Sequence, residues 1–113
     1  MSQAASWIDR RLETRSEVSE RVRVFYGPDL ASWWDGTMRD VSPSGLKLEI
    51  PAQLPLPKAL TILLVPEGEV FLVRAKWRNH DMIGCKINQR HNLHTETNPA
   101  FASLKATWMS LRS

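Results

Sequence analysis

The sequence predicts an all-β fold with a C-terminal helix, a small six-stranded antiparallel β-barrel. Three observations predict it. Short runs of residues alternate between apolar and polar, turn-forming residues punctuate them at close intervals, and one final stretch changes its apolar spacing from two to three and four.

From Arg21 the period is two: Val22, Val24 and Tyr26 alternate with Arg23 and Phe25, a first strand stopped by Gly27-Pro28-Asp29. A second strand runs from about Trp33 to Arg39, and Asp40-Val41-Ser42-Pro43-Ser44-Gly45 turns the chain. In the third, Leu46, Leu48 and Ile50 point one way, Lys47 and Glu49 the other. Pro51, Pro55 and Pro57 each lack an N–H donor and enforce a connection outside any ladder. Ala59 to Val65 is the fourth strand, with Pro66-Glu67-Gly68-Glu69 as a tight turn after it. The fifth, Val70 to Arg78, places Phe71, Val73, Ala75 and Trp77 on one face and Arg74, Lys76 and Arg78 on the other. Asn79-His80-Asp81 leads into the sixth, Met82 to Ile87, with Ile83, Cys85 and Ile87 inward.

The tail reads as a helix over about 98–112. Asn98-Pro99 supplies N-cap and first helical residue, and Phe101, Leu104, Trp108 and Leu111 form one apolar stripe. This helix is expected to lie across an opening or a face of the sheet. In residues 1–19 the apolar spacing fits no long helix or strand; Arg10, Arg11 and Arg15 stand among Asp9, Glu13, Glu17 and Glu20. We read residues 1–19 as a mobile arginine-rich arm and 20–113 as barrel plus helix.

Composition bounds the function classes. A chain of 113 residues has room for one domain, and 42% hydrophobic with 24% charged residues is ordinary globular usage. The longest apolar stretch, Ala59 to Val65, is far short of the roughly 20 residues of a spanning helix. Met1 to Asp9 shows no basic region followed by an apolar one, so no signal peptide is expected. The single Cys85 cannot form an internal disulfide, which fits a reducing, cytoplasmic setting. Net charge is +3, with 15 basic residues against 12 acidic. Ten of the basic residues are arginine, whose planar fork grips phosphate or a guanine edge bidentately.

Two local patterns stand out. Arg11 and Arg15 form an Arg-x-x-x-Arg pair preceded by Arg10, and Asp40, Ser42 and Gly45 form an Asp-x-Ser-x-x-Gly. Each alone has a plain reading. Arginines on a polar arm are usually solvated, and Ser42-Pro43-Ser44-Gly45 suits a type I turn. Together, and with this order of strands and helix around them, they resemble the PilZ domain family from about Asp9 to Leu111. The resemblance implies a six-stranded barrel with a C-terminal helix that binds cyclic di-GMP. It also implies a bacterial setting in motility, biofilm formation, polysaccharide secretion or virulence.

The chemistry of such a ligand fits these residues. Guanine presents O6 and N7 acceptors that an arginine fork grips, and N–H donors that Asp40 can accept. Arg11 and Arg15 are therefore assigned to guanine and phosphate contacts. Asp40 and Ser42 are assigned to bonding the base or holding the arginines, and Gly45 to a tight turn or close backbone approach. The resemblance further implies, from the arginine at position 10, an intercalated dimer of cyclic di-GMP and thus two ligands per protomer. Ligand is expected to order the arm and so change affinity for an unidentified downstream protein.

Other residues invite readings of their own. Trp108 belongs to the helix stripe and reads as core; of Trp33 and Trp34, on opposite faces of one strand, one should be packed and the other partly exposed. Trp77 reads first as core and second as a border of the ligand site, while Trp7 lies beside the arginines and offers either packing or cover for a base. His91 and His94 with Glu96 sit among polar residues, and no metal is expected there. Cys85, between apolar strand neighbours, reads as an inert core thiol. No nucleophile–His–acid set or phosphate-cradling glycine loop is present in the chain, so the expectation is a non-enzyme without cofactor. Two rival readings are a small-barrel nucleic-acid-binding module and a PilZ-like adaptor that has lost its ligand.

Overall fold

The computed structural model describes residues 16–112. Among these residues six strands, β1 (Ser16–Tyr26), β2 (Ser32–Val41), β3 (Gly45–Glu49), β4 (Ala59–Leu64), β5 (Glu69–Asn79) and β6 (Met82–Asn92), precede one α-helix, α1 (Ala102–Arg112). All pairings are antiparallel, in the order β1-β2-β3-β6-β5-β4, and β4 returns to pair with β1, Val22 opposite Leu64 and Phe25 opposite Thr61. The sheet is thus a closed barrel, which leaves no continuous free edge.

The period-two pattern explains what fills it. Val22, Val24, Met38, Leu46, Leu48, Ile62, Phe71, Val73 and Ile83 point inward and are buried together. β4 is apolar on both faces, and the second face is covered as well. Leu63 joins Phe25, Val70, Leu93, Leu104 and Trp108 in a separate buried cluster beneath α1. The helix therefore lies against the outside of β1, β4 and β5. Its indole anchor Trp108 donates from Nε1 to the Val65 carbonyl at 2.8 Å, the partner a buried tryptophan N–H needs. The helix entry follows the sequence: the Asn98 side chain accepts from the Ala100 N–H at 3.0 Å, with Pro99 in the first turn.

Two strands are longer than their patterns indicate. β1 begins at Ser16, five residues before the expected start at Arg21, and Ser16 and Glu17 pair with Val41 and Asp40 across an irregular register. β6 continues beyond Ile87 to Asn92 because Glu69 to Leu72 of β5 require partners. A register shift between Leu72 and Val73 leaves Asn88 unpaired, which breaks the alternation just where the sequence turns polar.

The tryptophans of β2 also differ from expectation, since Trp33 and Trp34 are both about half exposed, at 47% and 46%. β3 pairs with β2 only over Thr37 to Val41, so the first half of β2 has β1 as its one neighbouring strand among the described residues. Neither indole is then covered by a flanking strand, and Trp33 instead carries the Arg23 guanidinium 3.6 Å above its ring. The proline-rich connection after β3 is held by Arg78, which donates to the carbonyls of Pro51 (2.7 Å), Ala52 (3.1 Å) and Leu54. Among the described residues no helix is long and apolar enough to cross a membrane.

Candidate functional site

Directly opposed residues of an antiparallel ladder share one face of the sheet. Followed from strand to strand, this rule draws one row across the barrel's outer surface. Glu17 of β1 opposes Asp40 of β2, Asp40 opposes Lys47 of β3, Lys47 opposes Gly84 of β6, and Gly84 opposes Trp77 of β5. Asp40 is 9% exposed, with Lys47 Nζ 3.6 Å from its Oδ2.

Trp77 reaches this row through a bulge. Regular alternation along β5 would put it inside with Phe71, Val73 and Ala75, as the sequence pattern suggests. Between Ala75 and Trp77 the register shifts by one residue, Lys76, and the shift turns Trp77 to the outer face and Arg78 to the side of Ile83. Trp77 is accordingly 50% exposed, not core. Its indole lies on Gly84, where an added Cβ would fall 2.1 Å from Nε1. Glycine at 84 is what allows the ring to lie flat on the sheet.

The β2–β3 turn is built from its own side chain. The Ser42 N–H donates to the Gly45 carbonyl at 2.8 Å, and the Gly45 N–H donates to Ser42 Oγ at 3.2 Å. A plain type I turn would send that second N–H to the Ser42 carbonyl. Here the carbonyls of Ser42 and Pro43 accept from Arg90 Nη2 at 2.6 and 3.1 Å. Gly45 opens β3 opposite Lys86 without a left-handed backbone. Arg90, placed 5.2 Å over the Phe71 ring, carries no local signal in the sequence, because its contacts with the turn span 47 and 48 residues.

Two adjoining hollows flank the row. One, of about 320 Å³, is lined by Ser44, Gly45, Lys47, Lys76, Trp77 and Lys86 among others. The other, of about 410 Å³, is lined by Glu17, Arg39, Asp40, Lys47 and Glu49 among others. Lys47 borders both. The first hollow offers ammonium groups and an aromatic face; the second offers carboxylate acceptors, with Arg39 bound to Glu49 at 2.6 Å.

The sequence-predicted residues Asp40, Ser42, Gly45 and Trp77 are thus brought to one face. Arg10, Arg11, Arg15 and Trp7 lie outside the described residues. Arg15 is bonded to Ser16, and Ser16 stands opposite Val41, within the Asp-x-Ser-x-x-Gly segment. Lys47, Lys76, Lys86 and Arg90 are the residues that sequence reasoning missed. Lys47 and Lys76 were visible only as outward strand positions, and the place of Lys86 and Arg90 beside the turn depends on pairing across the sheet.

The remaining polar groups are structural in their surroundings. His91 meets Glu96 Oε1 through Nδ1 at 2.9 Å and Gln89 Oε1 through Nε2 at 3.0 Å, and its ring packs 4.3 Å from that of Phe101. Among the described residues no group of three His, Cys, Asp or Glu side chains could hold a metal ion. Cys85 is buried behind the face, and burial pushes its thiol up to about 12, far from a reactive thiolate.

A family model described as PilZ domain matches residues 9–98. Among solved structures, the chain is similar to the PilZ domain of CeSA from a cellulose synthesizing bacterium, with a TM-score of 0.56 and 18% sequence identity, covering 88% of this chain and 99% of that one. At that identity the likeness concerns the fold. No curated protein matches the sequence.

Proposed function

The chain belongs to the PilZ domain family, and on that premise we propose that it is a non-catalytic, cytoplasmic receptor for cyclic di-GMP. The observation that carries this reading is the outer row of Asp40, Lys47, Gly84 and Trp77, beside the Ser42–Gly45 turn. It sets a carboxylate acceptor, a cation and a flat aromatic surface along one line, the three partners that a guanine nucleotide calls for.

In this reading Arg11 and Arg15 take the guanine O6/N7 edge and the phosphates, Asp40 accepts guanine N–H groups, and a base stacks on Trp77. Ser42 shapes the turn that sets Asp40 in place. Arg10 favours an intercalated dimer of the ligand, two molecules per protomer. Binding orders the arm ahead of β1, Ser6 to Arg15, and alters affinity for a downstream protein.

The test is a calorimetric titration of the protein with cyclic di-GMP, beside an Arg15→Ala variant and a GTP control. We expect selective binding that weakens roughly 30-fold or more in the variant, since losing one partner of a buried charged contact costs about 2–5 kcal/mol. A stoichiometry of two supports the role of Arg10, and a stoichiometry of one removes it. No binding of cyclic di-GMP would leave a PilZ-fold adaptor acting through protein partners alone.

A further inference from the structure

The bulge in β5 has a second effect. Lys76 is the extra residue between Ala75 and Trp77, and both Lys76 and Trp77 border the 320 Å³ hollow. Lys86, two residues beyond Gly84 on β6 and opposite Arg74, borders the same hollow, as does Lys47 from β3. Lys47 is engaged with Asp40. Among the described residues neither Lys76 nor Lys86 has an ion-pair partner. Both are exposed, so two ammonium groups without an ion-pair partner among the described residues border one hollow together with a half-exposed indole.

This combination selects a chemical class. The indole takes a planar base, and a phosphate attached to that base through its ribose falls where the ammonium groups can neutralise it. We infer that Lys76 and Lys86 hold a phosphate of the cyclic dinucleotide whose base stacks on Trp77, a subsite lying outside both sequence motifs. The inference rests on the receptor reading above and extends it: the sheet itself supplies counter-charge to the ligand, outside both sequence motifs. Among the described residues neither lysine side chain has a hydrogen-bond or ion-pair partner, so their charge is available to the ligand.

The experiment is a titration of cyclic di-GMP into the wild-type chain, Lys76→Gln, Lys86→Gln, the double variant and an Arg74→Gln control. Arg74 opposes Lys86 on the same outer face but does not line the hollow. All the altered side chains are exposed, and thermal unfolding of each variant checks that the fold is kept. We expect each lysine variant to bind about tenfold more weakly and the double variant about a hundredfold, the loss expected for one and two charge-assisted contacts. Arg74→Gln should bind as the wild type does, and the lysine variants should show a shallower salt dependence. Wild-type binding with unchanged affinity in the lysine variants overturns the subsite and leaves the receptor reading standing. An equal loss in Arg74→Gln also overturns it, in favour of diffuse surface charge. Failure of the wild type to bind sinks the receptor reading and the subsite with it. Equally tight, lysine-dependent binding of an arbitrary single-stranded oligonucleotide would replace both with a nucleic-acid interface.

Discussion

Gly84 matters for what it lacks. With no Cβ it lets the Trp77 indole rest on the β6 backbone, and the nearest indole atoms would lie 2.1 and 2.2 Å from any added methyl group, well inside contact distance. In Gly84→Ala the ring must therefore tilt off the sheet while the ladder pairs on either side, Leu46–Cys85 and Leu48–Ile83, are kept. Stacking of a base on an aromatic side chain is worth about 1–3 kcal/mol, so the substitution should weaken cyclic di-GMP binding roughly tenfold. Titration measures the loss, and the tryptophan emission of the free protein should shift with it. Unchanged affinity in a folded Gly84→Ala protein would remove Trp77 from the site. Gly68 shows the same device used for the core: its positive φ of 69° and its place beneath Trp108 leave no room for a side chain.

At the scale of elements, the entry to α1 is tied back to β6. Glu96 Oε2 accepts from the Asn98 N–H at 3.1 Å while Oε1 meets His91, and Asn98 in turn caps the first turn of the helix. The Asn98 backbone N–H, followed by the His91 side chain, holds the Glu96 carboxyl below its ordinary value of 4.5. A depressed carboxyl pKa adds stability that is fully present above the unfolded value. That stability is lost as pH falls through the folded one. The unfolding midpoint of the wild type should therefore exceed that of Glu96→Gln at neutral pH, and the gap should close below about pH 4.5. Thermal unfolding followed across that range checks the sign. A gap that persists undiminished in acid would mean that the ionised carboxylate is not what ties the helix entry. Asp35 is drawn down in the same sense, chiefly by its hydrogen bond from Arg23, and its effect would overlay the same acid range on the β1–β2 hairpin.

Taken together, the described residues form a barrel closed on itself with one helix packed on it, which has few parts that can move independently. Its two buried clusters share β1, β4 and β5, so it should unfold as one cooperative unit. A ligand that binds only the folded state then stabilises all of it. At a hundredfold excess over Kd the gain is about 2.7 kcal/mol, or roughly 10 °C in Tm for a domain of this size. A thermal shift with cyclic di-GMP and none with GTP is the expected result; equal shifts with both would point to general anion binding.

Much of this architecture is legible in the chain. Six strands, the turns between them, the helix cap at Asn98 and the inward residues follow from period, turn chemistry and capping, which act over a few neighbouring residues. The Asp-x-Ser-x-x-Gly turn was legible for the same reason, since Ser42 and Gly45 bond each other. The extensions of β1 and β6 were not, because polar strand ends are paired only when a partner strand arrives. Trp77 was read on the wrong face, and Lys76, Lys86 and Arg90 were passed over. The face that Trp77 takes depends on a bulge, and a bulge is a property of two paired strands: the extra residue exists only relative to a partner brought up from elsewhere in the chain. The order of the elements and the two motifs thus follow from local chemistry along the chain. Which residues share the candidate site is settled by strand pairing in three dimensions, because one residue of register reverses the face a side chain occupies.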